Sequence, residues 1–235
     1  MAQFLNSKAS EQEENHWLSV SDLMAGLMVV FLFIAIALMR NALLQRDQIK
    51  EVAVAYQETQ VDIYNALSDE FSEDLPRWNA EIDPDTLTFT FNSPDVLFRT
   101  GDIALSSDYR DLLADFFPRY MQTLDQFQQS INEVRIEGHT SSIWNSSTGP
   151  TEAYFRNMAL SQGRTRSVLE YVYSLDEVRP YQDWIKSNVA AVGLSSSKLI
   201  VDDEGDENYQ KSRRVTFRVI PNADIRIQQI LEIDG

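Results

Sequence analysis

The chain has 235 residues, with 20 Lys and Arg against 36 Asp and Glu and a formal net charge of -16. A phosphate backbone is held by clustered cations, so this balance argues against nucleic acid as a partner. The lack of cysteine removes disulfides, cysteine-ligated zinc and thiol nucleophiles, and the two histidines, His16 and His139, form no His-x-x-x-His pair, so no metal or other cofactor is expected.

Residues 1–16 read as a polar tail that ends in the acidic run EQEEN. A signal peptide would be basic there, and no small-x-small cleavage pattern follows, so residues 17–40 are expected to form an uncleaved membrane helix. From Leu23 to Met39 no residue is charged or strongly polar. Counted from Trp17, the run would reach roughly 34 Å at about 1.5 Å per residue, enough for a bilayer core of about 30 Å.

Asp22 stands at the start of this run. An ionised carboxylate inside a spanning helix costs about 2.5–3.5 kcal/mol on insertion scales, so such a residue normally faces a partner or a water path. Two readings are open: a solvated bystander in the headgroup zone beside Trp17, or a group that takes up and releases a proton. Asp22, Gly26, Val29, Phe33 and Ala37 share one helical face, and Gly26 would admit a close neighbouring helix.

The stretch Trp17-Leu-Ser-Val-Ser-Asp22-Leu-Met-Ala-Gly-Leu-Met28 resembles the membrane helix of the flagellar stator protein MotB and its relatives. Among these, the length and the acidic tail are most similar to the MotB-like subunits of Zorya anti-phage defence systems. The resemblance implies that Asp22 carries the ion, with Trp17, Ser21 and Gly26 packing near it. It also implies a homodimer, paired through the membrane helix and connector inside a ring of a MotA-like (ZorA-like) membrane subunit.

Residues 41–84 read as a helical connector and linker. Ile49, Val52, Tyr56, Ile63, Leu67 and Phe71 recur at steps of three, four or seven, which suits either a paired helix or an amphipathic helix packed on its own domain. Pro76, within SDEFSEDLPRW, ends the helix.

Residues 85–220 change character. Thr86 to Phe91 alternates as a half-buried strand, a helix follows over Tyr109 to Phe127, and Asn132 to Gly138 is a second strand. After a polar loop come helices near Tyr154 to Tyr173 and Tyr181 to Val189, then a last strand, Arg214 to Ile220. Residues 221–235 read as a tail. The expected class is α+β, a β-α-β-α-β domain behind a membrane helix and connector.

Five stretches in order, Asp95-Val-Leu-Phe98, Ile136-Glu-Gly-His-Thr140, Asn157-Met-Ala-Leu-Ser161-Gln-Gly-Arg164, Ala191-Val-Gly193 and Ser212-Arg-Arg-Val215, resemble the OmpA-like peptidoglycan-binding domain. That family's ligand is the diaminopimelate of the wall peptide. The resemblance implies that Arg164 clamps a carboxylate and that Thr140, Ser141 and Asn157 add polar contacts. The family has an aspartate where Ser141 stands, which leaves another acid, such as Glu152, as the substitute receiver of the ligand's ammonium. The loop from Ser141 to Phe155 is longer than the family's. His139 ends a strand, no nucleophile elbow is present, and no enzymatic reaction is expected.

The two parts imply a single-pass inner-membrane protein with a cytoplasmic N-terminus and a periplasmic domain holding peptidoglycan. Arg40, Arg46 and Lys50 after the helix, against Lys8 before it, would alone favour the opposite orientation. The readings open at this point are a proton-driven motor subunit in phage defence, a flagellar stator subunit, and a passive tether between membrane and wall.

Overall fold

A computed structural model describes the backbone of residues 2–92, 97–99 and 101–222, and their side chains apart from 2–16, 18 and 19. Asp95 and Val96 of the Asp95–Phe98 motif and residues 223–235 of the expected tail lie outside the described residues. The chain forms two compact units, residues 1–53 and 54–235.

The first unit is helical, part of α1 (Ala2–Phe71). With no Gly or Pro between Gly26 and Pro76, nothing in the sequence interrupts α1. Its apolar stretch is long enough to cross a membrane and none of it is buried by the protein, as expected of a segment whose solvent is lipid.

In the second unit, a short helix α2 (Asp74–Arg77) leads to β1 (Ala80–Asp83) and β2 (Thr88–Phe91). Then come α3 (Ser107–Asp125), β3 (Ile131–His139), α4 (Pro150–Tyr173), α5 (Gln182–Asn188), β4 (Val189–Gly193), α6 (Tyr209–Ser212) and β5 (Arg214–Pro221). Ser106 caps α3 by accepting the Tyr109 amide at 3.1 Å, and Pro150 opens α4, where its missing N–H costs nothing.

The strands form one five-stranded sheet in the order β1-β2-β5-β3-β4. Among the described strands only β3 and β4 are parallel, joined by the crossover through α4. The α+β class stands as expected, with two strands that the periodicity did not reveal. β1 is a four-residue edge strand with acids at alternate positions, and β4 is built of small residues, Val-Ala-Ala-Val-Gly, that lack a strand's usual bulk.

One face of the sheet is aromatic. Phe116 of α3 lies at ring-centroid distances of 4.7 Å from Phe89, 5.1 Å from Phe91, 5.0 Å from Phe217 and 5.3 Å from Phe71. The end of α1 joins this core through fully buried Ile63, Leu67 and Phe71, so this part of the connector packs as an amphipathic helix on its own domain. The opposite face carries the alternate, polar residues of β3 and β5, among them Arg135, Glu137, His139, Arg214, Thr216 and Arg218.

The core and the polar face set three expectations. Phe116→Ala removes the shared ring and should cost about 3–5 kcal/mol in chemical denaturation. Tyr120→Phe should cost nothing or stabilise, because the buried Tyr120 hydroxyl has no partner to lose. On the polar face, burial lowers the pKa of His139, with Arg214 and Lys198 adding to the effect against the opposing pull of Glu137. The unfolded chain therefore takes up this proton first. Stability should fall as pH drops below about 6.5, and His139→Gln should flatten that slope in thermal melts.

Candidate functional site

Motif residues from β3, α4 and β4 meet where α4 crosses these two strands. Gly138 and Gly193 are register partners on these strands. A Cβ at Gly138 would fall 2.8 Å from the Ser161 carbonyl oxygen, and one at Gly193 would fall 2.4 Å from the Gln162 nitrogen. Only glycine lets the helix approach so closely. The buried Ser161 hydroxyl accepts the Ser195 amide at 3.1 Å and donates to the Met158 carbonyl at 3.0 Å. Ser195, held at φ +51°, takes the Thr140 amide on its carbonyl at 2.9 Å. Helix, strand end and following loop are thereby bonded to one another.

This packing brings together Thr140, Ser141, Asn157 and Arg164 around a pocket of about 130 Å³, also lined by Phe98, Leu160, Trp144 and Arg213. Asn157 is 3% exposed and donates to the Ser141 carbonyl at 3.0 Å, which fixes the turn after Thr140. Thr140 is equally buried, and its hydroxyl has no partner among the described residues.

Among the described residues Arg164 bonds no acid side chain. Its Nε donates to the Asp102 carbonyl at 2.9 Å, one Nη donates to the Arg99 carbonyl at 3.2 Å, and its guanidinium carbon lies 4.7 Å from the Phe98 ring centroid. A guanidinium has five N–H donors, so these bonds fix its plane and still leave donors for a ligand. Burial, and then the nearby Arg213, push its pKa down to about 10, which leaves it cationic at neutral pH. Two guanidinium groups, a free hydroxyl and an aromatic wall suit an anionic ligand with an apolar stem.

Glu152 pairs with Arg156 at 2.6 Å on an exposed part of α4. The acid held beside the Thr140–Ser141 turn is instead Glu207, which accepts from the amide and the hydroxyl of Ser142. Arg213 was within a motif of the sequence without being singled out; its adjacent Arg-Arg pair was the available signal. Trp144 belongs to the long loop, and its ring lies 5.8 Å from the Arg156 guanidinium carbon.

The membrane set lies along α1 in the other unit. Trp17, Ser21, Asp22 and Gly26 are exposed, and a Cβ at Gly26 would touch nothing, so a neighbouring helix could approach there.

The sheet order and the α4 crossover define a MotB-like fold, in a chain whose apolar helix fits a single membrane pass. A solved MotB-like protein from Desulfovibrio vulgaris superposes with a TM-score of 0.50 at 21% identity, covering 74% of this chain and 99% of that one. The cell wall anchor of the type VI secretion system from Pseudomonas aeruginosa gives 0.45 at 19% identity, over 66% of this chain and 97% of its own. No family model matches. The Zorya protein ZorB of Escherichia coli is 54% identical over 222 residues, 94% of both chains, and the chain belongs to the ZorB family.

Because α4 carries both Asn157 and Arg164, Gly193→Ala tests the site's foundation. We expect a loss of about 1–3 kcal/mol from forced backbone movement, read as a lower midpoint in chemical denaturation.

Proposed function

We propose that this chain is the peptidoglycan-anchored, MotB-like subunit of a proton-driven inner-membrane motor complex that acts in anti-phage defence. The observation that carries the reading is the convergence of Thr140, Asn157, Arg164 and Arg213 on one pocket, in a chain whose apolar helix bears Asp22.

In the pocket, the remaining Arg164 donors and Arg213 bind a carboxylate of the wall peptide, and the Thr140 hydroxyl supplies a further hydrogen bond. Ser141 leaves the ligand's ammonium without the family's aspartate. In the membrane, Asp22 alternates between ionised and neutral states as it meets water on either side. That changes its attraction to surrounding helices of a MotA-like subunit. The chain pairs with a second copy through the membrane helix, with Trp17, Ser21 and Gly26 near the ion site, and through the connector. Its N-terminus is cytoplasmic and its C-terminal domain periplasmic. No bond of a substrate is made or broken. The 54% identity to a Zorya protein supports the defence role over a flagellar one.

Two variants separate the halves of this reading. Asp22→Asn removes the titrating group at nearly constant shape and should abolish phage protection while the protein still inserts in the membrane; unchanged plating efficiency would leave a passive tether. Arg164→Ala should weaken co-sedimentation with purified sacculi by about 10–100-fold, the loss of one or two charge-assisted hydrogen bonds.

A further inference from the structure

The charge of the ligand pocket is one-sided. Arg164 and Arg213 line it, and its other lining residues among those described are neutral. Three acids of the surrounding segments are engaged elsewhere. The Asp102 carboxylate accepts the amides of Ile103 and Ala104 at 2.7 and 3.0 Å, Glu207 accepts from Ser142, and Glu152 pairs with Arg156. The balance is felt at Arg164, where Arg213 adds to the effect of burial in lowering the pKa, ahead of the smaller opposing pull of Asp102.

This arrangement discriminates between two forms of one ligand. A carboxylate is drawn to the two guanidinium groups in either form. When the carbon beside it bears a free amine, an ammonium ion stands next to the same two cations, and no carboxylate among the described lining residues receives it. When that nitrogen is acylated, the charge is gone and a single N–H remains to be bonded. The neutral side chains suit this group. Ser141 donates its hydroxyl proton to the Ile143 carbonyl at 3.4 Å, which leaves its oxygen to accept an N–H. Asn157 uses its NH2 on the Ser141 carbonyl, so its side-chain oxygen is an acceptor as well.

The acyl group needs a surface of its own, and the long loop supplies one. Ile143 and Trp144 of that loop line the pocket, and Ile143 is 52% exposed. The loop is held in shape at both ends of this pair: Glu207 fixes Ser142, and the Asn145 side-chain oxygen accepts from the hydroxyls of Ser147 and Thr148 at 3.0 and 2.6 Å.

We propose that the pocket selects a carboxylate whose neighbouring nitrogen is acylated, which in the wall is the diaminopimelate at a peptide cross-link, over the same residue with a free amine. The inference rests on the wall-binding reading above and narrows its ligand. An anchor with this preference settles where two stem peptides are joined and avoids unlinked ones.

The test uses detergent-solubilised full-length protein and two probes in isothermal titration. One is a disaccharide tetrapeptide with its diaminopimelate amine free, the other the same molecule acetylated at that amine. The acetylated probe should bind about tenfold more tightly. Ser141→Asp supplies an acid for the ammonium and should shift the preference toward the free amine, a gain that misfolding cannot mimic. The terminal carboxylate of the stem peptide also lies beside an acylated nitrogen, but it is the same in both probes; equal binding would therefore assign the pocket to that end and overturn the proposal. A free-amine preference in the unaltered protein, or no shift with Ser141→Asp, would also overturn it while leaving the wall-binding reading intact. Binding of neither probe would overturn both.

Discussion

The arrangement of the C-terminal domain depends on the absence of two side chains. Gly138 and Gly193, paired across β3 and β4, let α4 lie against the sheet backbone at a distance that any Cβ would prevent. That contact decides where Asn157 and Arg164 stand relative to the strand end that carries Thr140. Ser161 of the helix and Ser195 of the loop after β4 then bond across it, the Ser195 amide donating to the Ser161 hydroxyl and the Ser195 hydroxyl to the Tyr154 carbonyl. The ligand pocket is a by-product of this approach: its floor is the strand end and its wall is the helix.

The site is stiff for a reason beyond packing. Arg164 is the long, flexible side chain there, and backbone carbonyls from the segment before α3 hold it over Phe98. Rotamer entropy that would otherwise be lost on binding is lost on folding. Lysine could not take this place, since one ammonium cannot bond two carbonyls in a plane and still keep a planar fork of free donors.

Much of this was legible from residue order. The long elements, α1, α3, α4 and β5, show clear periodicity, and the motif residues Thr140, Ser141, Asn157 and Arg164 do meet in one pocket. β1 and β4 escaped because neither carries a pattern of its own. The acids of β1 face solvent beside a polar sheet face, and the small residues of β4 are explained by a helix far off in sequence. Arg213 could be seen in its motif, but its place beside Arg164 depends on the central position of the last strand. Glu207 was out of reach for the same kind of reason: 65 residues separate it from Ser142, and a hydrogen bond across that distance leaves no local mark.

The end of α1 deserves a mechanical description. Its final turns are sunk among Phe89, Phe116 and Trp78 by way of Phe71, and Arg119 of α3 grips Glu70 at 2.7 Å while its guanidinium carbon sits 4.9 Å from the Phe71 ring centroid. A tensile load arriving along the helix is therefore delivered to the interior of the domain, where many contacts must shear together before any one yields. The last turn of α1 is in this sense riveted to the domain at several points, so it cannot be peeled away without opening the aromatic core.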